Sequence, residues 1–159
     1  MAQAGEGPAS DSGQSAPNEK IHRRIQANRL GGKASAMSVY GSAPVLLLED
    51  EPLIALDIEE VLNEAGFHEV NIISSCSAAE GWLRANTPAV VVLDIHLRDG
   101  PSTAIASSLV DRAIPFVVHS GETLQASDSY AVFSKGRWVS KPCLLDDLVL
   151  AVRTCVSGH

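Results

Sequence analysis

The chain has 159 residues, room for one ordinary domain with a core and some additional length. It is 45% apolar and 19% charged, as soluble globular proteins are, and its formal net charge is −7. Residues 1–43 carry five basic and three acidic residues, leaving seven basic and sixteen acidic in 44–159, a balance of −9. So acidic a domain repels phosphate backbones, which argues against direct nucleic-acid binding and suits cations or basic protein surfaces. Cys76, Cys143 and Cys155 show no CxxC spacing, which argues against a disulfide framework or structural zinc. No apolar run reaches the ~18 residues of a membrane span. The N-terminus lacks the apolar segment of a secretory signal, so a cytoplasmic location without membrane contact is expected.

Residues 1–43 read as a disordered tail and linker, rich in Ala, Gly, Ser, Pro and Gln. Within them Lys20–Leu30 has the composition of a short basic helix, with Ile21 and Ile25 on one side. The folded part is expected over 44–157. Val45–Leu48 is a fully apolar run, the pattern of a strand buried on both faces, and Glu49-Asp50-Glu51-Pro52 follows it. Proline at a first helical position then opens a helix whose Ile54, Ile58, Val61, Leu62 and Ala65 share one face, with Gly66 ending it. A second strand is predicted over Val70–Ser74. Ser77 and Glu80 then have the spacing of a capping box for a helix that turns Trp82 and Leu83 inward. Ala89–Leu93 is the third strand and runs directly into Asp94. A helix over Ser102–Ala113 and a strand over Phe116–His119 follow. Gly121–Lys135 holds few good helix formers, so its helix, the fourth, is expected to be short and mobile. Arg137–Ser140 is the fifth strand, and Leu145, Leu148, Val149 and Val152 form the apolar face of the fifth helix.

Five apolar strands alternating with helices predict a parallel sheet covered on both faces. Glu49 and Asp50, Asp94, Ser120 and Lys141 then all stand at carboxyl ends of strands, the edge where open α/β sheets form their crevice. Three carboxylates gathered there repel one another unless a cation intervenes. A hard, oxygen-preferring ion such as Mg²⁺ (or Mn²⁺) suits that donor set. A dinucleotide site is excluded, because acids stand where a GxGxxG loop would be needed.

The runs VLLLEDEP, VLDIHLRDG, FVVHSG and SKP, in this order, resemble the receiver domain of two-component response regulators over about residues 44–157. The resemblance implies a flavodoxin-like doubly wound sheet with strand order 2-1-3-4-5. It implies transfer of a phosphoryl group from a histidine kinase, or exchange with a histidine phosphotransfer protein, and no enzymatic turnover beyond the domain's own phosphorylation and dephosphorylation. Asp94 resembles the phosphoacceptor. Glu49, Asp50, Asp94 and the backbone carbonyl of His96 resemble the metal ligands, with Glu49 standing where Asp is commoner. Lys141 resembles the cation that pairs with the phosphoryl group, and Ser120 the switch hydroxyl. Trp138 stands where the family usually carries a rotating Tyr or Phe. His96 and Glu122, two residues beyond Asp94 and Ser120, are placed to tune phosphoryl lifetime. Lys141-Pro142 is a candidate cis bond, and His119 reads as a packed core residue.

A stand-alone receiver, monomeric or weakly dimeric, is expected to signal by protein contact through the face of the fourth helix, fifth strand and fifth helix. Two other classes compete. A pseudo-receiver would only bind partners. A Mg²⁺-dependent phosphohydrolase of this topology would carry a second acid two residues after its nucleophile, where this chain has His96.

Overall fold

In the computed structural model of the protein, residues 43–122 and 128–158 are described. The expected tail, its basic segment Lys20–Leu30, and part of the 121–135 stretch lie outside the described residues. β1 (Val45–Leu48), β2 (Val70–Ile73), β3 (Val90–Leu93), β4 (Phe116–Ser120) and β5 (Arg137–Ser140) form one parallel sheet in the order β2-β1-β3-β4-β5. This is the predicted flavodoxin-like order.

β1 and β3 are buried along their whole length because the sheet is covered on both sides. Val45, Leu47, Val90 and Val92 pack with Ile58 and Leu62 of α1 (Pro52–Glu64) and with Leu148 and Val152 of α4 (Leu145–Ser157). Leu46, Leu48, Val91 and Leu93 alternate to the other face. There they meet Leu83 of α2 (Cys76–Ala85) and Ile105 and Leu109 of α3 (Thr103–Asp111). Strict alternation between two apolar layers is why these strands read as continuous apolar runs.

α1 ends as its sequence predicts. Gly66 has φ 100°, its N–H donates to the Asn63 carbonyl, and the Phe67 N–H donates to the Leu62 carbonyl, closing a Schellman motif with Leu62 and Phe67 both buried. The start of α2 differs from the expected capping box. Its N-cap is Ser75, whose hydroxyl accepts from the Ala78 N–H, and the helix already includes Ser77. The two N–H groups ahead of Ala78, those of Cys76 and Ser77, donate to the carboxylate of Asp99 at 2.6 and 3.0 Å. A carboxylate arriving from 22 residues away supplies what the local Glu80 was expected to supply.

Among the described residues of the stretch expected to hold the fourth helix, Asp128–Lys135 is a 3₁₀ helix fixed to the core by Phe133, which is fully buried. It turns into β5 at Gly136. A Cβ at Gly136 would collide with the ring of Phe116 and lie 2.9 Å from its carbonyl oxygen. Gly136→Ala is therefore expected to cost about 1–3 kcal/mol through overpacking. An unchanged urea midpoint would contradict this.

Candidate functional site

The register of the sheet brings the site residues level. Leu48 pairs with Leu93 and Leu93 with Val118, so Glu49, Asp94 and His119 follow at the same height at the carboxyl edge. The Asp94 N–H donates to the Leu48 carbonyl at 3.0 Å, holding β3 to β1 at the exit of both strands. Lys141 arrives from the end of β5, where its backbone N–H donates to the Ser120 carbonyl, and the bond from Lys141 to Pro142 is cis.

The lysine is the centre of the arrangement. Its Nζ donates to Glu49 Oε2 at 2.7 Å and to Asp94 Oδ2 at 2.6 Å. Glu49 is buried, and its other oxygen accepts the Glu51 N–H at 3.1 Å at the start of α1. Burial alone would lower the Lys141 pKa. The hydrogen bonds and charges of Asp94 and Glu49 outweigh it and raise the pKa, so the ammonium stays charged. Asp50 is exposed beside this pair. Among the described residues no three His, Cys, Asp or Glu side chains are gathered as a metal cage. The Lys141 ammonium stands where the two inner carboxylates converge and supplies their positive charge.

Ser120 is buried, and its Oγ accepts the Glu122 N–H at 3.4 Å. Glu122 Oε1 in turn lies 2.9 Å from His96 Nε2, so the two residues expected to tune phosphoryl lifetime do meet. Trp138 is half-buried against the α2–α3 layer, and its indole N–H donates to Ser140 Oγ at 3.1 Å. The loop after Asp94 folds as a small antiparallel ribbon, His96–Leu97 with Gly100–Pro101. Three residues of this neighbourhood escaped sequence reasoning. Ser102, fully buried, donates its hydroxyl to the Asp94 carbonyl at 2.7 Å. Asp99 caps α2, and the N–H groups of Ser77 and Cys76 hold its pKa down to about 2. The Tyr130 hydroxyl lies 3.3 Å from His96 Nε2. Only Ser102 carried a local signal, as a small polar residue before a helix; the other two act across long sequence separations.

His119 is the buried packing residue that was expected. Its Nε2 lies 3.4 Å from Cys143 Sγ, and its Nδ1 is buried without a partner. Burial, reinforced by the Lys141 charge, pushes its pKa down to about 4 from 6.5. Between those values the unfolded chain binds the extra proton, so stability rises with pH. At 1.36 kcal/mol per unit this is about 3 kcal/mol, present in full above pH 6.5 and lost as pH falls to about 4. Thermal melts across that window should fall more steeply for the parent chain than for His119→Leu; parallel curves would contradict the assignment.

Comparison with known proteins accords with this geometry. No family profile matches the chain. The transcriptional regulatory protein PdtaR of Mycobacterium tuberculosis is 30% identical over 119 residues, which are 71% of this chain and 56% of that protein. The chain thus spans about half the length of the curated relatives it matches. A two-component response regulator from Clostridium difficile superposes with a TM-score of 0.64 at 20% identity, covering 73% of this chain and 97% of the other. The receiver domain of the sensor histidine kinase PA1611 from Pseudomonas aeruginosa superposes with a TM-score of 0.63 at 18% identity, covering 74% and 99%. The folded unit is a response-regulator receiver domain. The PA1611 structure is described with a magnesium ion coordinated in its active-site cleft. Among its described residues, the receiver domain of this chain has no helix long and apolar enough to cross a membrane.

Proposed function

We propose that this receiver domain accepts a phosphoryl group on Asp94 from a phosphohistidine of a histidine kinase or histidine phosphotransfer protein. The observation that carries the reading is the Lys141 ammonium set between Asp94 and the buried Glu49 at the carboxyl ends of three strands. An Asp94 oxygen attacks phosphorus, the P–N bond breaks with its electron pair leaving on the imidazole, and an acyl phosphate forms. Lys141 then trades a carboxylate for a phosphoryl oxygen, and Ser120 supplies a hydroxyl from the end of β4.

No ready-made cage of three acids stands among the described residues, but the charge balance of the crevice favours a divalent ion. Glu49, Asp50 and Asp94 bring three formal negative charges against the single positive charge of Lys141, leaving −2, and every donor is a hard oxygen, as is the His96 carbonyl that the family resemblance adds. Bound there, Mg²⁺ (or Mn²⁺) would neutralise the carboxylates and the incoming phosphoryl charge. The extra methylene of Glu49 favours a contact through water. Output is through protein contact on the face formed by the 3₁₀ helix, β5 and α4, and the chain turns over no external substrate.

Incubation with a small acyl-phosphate donor and Mg²⁺ tests the reading. Stable incorporation that hydroxylamine removes is expected, because hydroxylamine cleaves acyl phosphates. A chain that takes no label with either ion would instead be a partner-binding module.

A further inference from the structure

Trp138, at the position where an aromatic switch is expected, is tied to its own strand, its indole N–H donating to Ser140 Oγ two residues away. A second aromatic lies in a more connected place. From Ser120 a continuous path runs outward: its Oγ accepts the Glu122 N–H at 3.4 Å, Glu122 Oε1 meets His96 Nε2 at 2.9 Å, and that nitrogen meets the Tyr130 hydroxyl at 3.3 Å. The Tyr130 ring then packs on Phe133, centroids 5.8 Å apart, and Phe133 is fully buried. Five residues from the ribbon after β3, the end of β4 and the 3₁₀ helix are thus linked by one chain of contacts.

We infer that Tyr130, not Trp138, is the aromatic through which the occupancy of Asp94 is transmitted to the 3₁₀ helix, by way of Ser120, Glu122 and His96. The inference rests on the phosphoacceptor reading above. When the Ser120 hydroxyl turns to a phosphoryl group on Asp94 it gives up the Glu122 N–H. Glu122 and His96 then separate, and Tyr130 loses the partner that holds its hydroxyl. The resting contacts oppose this change, so removing one of them favours the occupied form by population shift. Tyr130 is a positioning residue, since it touches no reacting atom.

The test uses the full chain with beryllofluoride and Mg²⁺ as the phosphoryl mimic, followed by ¹⁹F NMR with 3-fluorotyrosine incorporated. Bound beryllofluoride gives its own signals, and the Tyr130 signal is identified by its absence in Tyr130→Phe. Saturating beryllofluoride is expected to shift the Tyr130 signal in the parent chain and in Trp138→Phe, and to leave it unshifted in Ser120→Ala. Without fluorotyrosine, Tyr130→Phe keeps the ring on Phe133 and is expected to bind beryllofluoride more tightly, on the order of fivefold, as loss of one hydrogen bond implies. Bound beryllofluoride with an unmoved Tyr130 signal, or a shift that disappears in Trp138→Phe, overturns the relay alone. Absence of any bound beryllofluoride signal overturns the phosphoacceptor reading and the relay with it.

Discussion

An Asp94→Asn chain is expected to take no phosphoryl label from a small acyl-phosphate donor, a loss of at least a hundredfold, while remaining folded. The substitution is close to isosteric and leaves the carbonyl that Ser102 holds untouched, because that contact is to the backbone. It removes the nucleophile, since an amide does not attack phosphorus at a useful rate. It also removes one of the two anions around Lys141, whose remaining contact is to Glu49. Label retained in Asp94→Asn would mean that another group accepts the phosphoryl, and the assignment of this crevice would fall. Circular dichroism on the same sample separates loss of chemistry from loss of fold.

The second large effect is on stability. Lys141→Met keeps much of the side chain's length and apolar stem but withdraws the charge from between Glu49 and Asp94, of which Glu49 is buried. Removing one partner from a buried pair leaves the other charge uncompensated, at a cost of about 3–5 kcal/mol when burial is complete. Because the lysine and Asp94 retain some exposure, about 2–4 kcal/mol is expected here. Millimolar Mg²⁺ is expected to restore part of that loss, since a ligand that binds only the folded state stabilises it. Chemical denaturation with and without Mg²⁺ checks both statements. A variant as stable as the parent would show that the Glu49 carboxyl does not depend on Lys141.

Most of the scaffold was legible because it depends on short-range regularities. Continuous apolar runs in β1 and β3, a proline opening α1 and Gly66 closing it each follow from a local rule, and each element lies within a residue or two of its expected span. The polar strand ends gave Glu49, Asp94 and Lys141 as companions, and the parallel register brings them together. The failures share a physical cause. The capping pattern at Ser77 was sound as a pattern, but Asp99 takes the Ser77 N–H that Glu80 was expected to hold, and the Cys76 N–H with it, from across the domain. Tyr130 was overlooked because its partner His96 is 34 residues away and nothing in the intervening sequence encodes their meeting. Weak helix propensity over 121–135 was visible. That part of it would wind as a 3₁₀ turn anchored by Phe133 was not, since burial of one phenyl ring is a tertiary matter.

The clamp on the loop after Asp94 gives the crevice two unlike jaws. One side is bolted down twice, by Asp99 to the start of α2 and by Ser102 to the Asp94 carbonyl, and neither bolt involves a group that phosphorylation would touch. The opposite side, from Ser120 through Glu122 to Tyr130, is held by one contact per step, at 3.4, 2.9 and 3.3 Å. A bulky anion entering between the two sides is expected to displace the one held by fewer contacts. If Asp94 is phosphorylated as proposed, the readout is expected to leave toward the 3₁₀ helix and not toward α2 and α3.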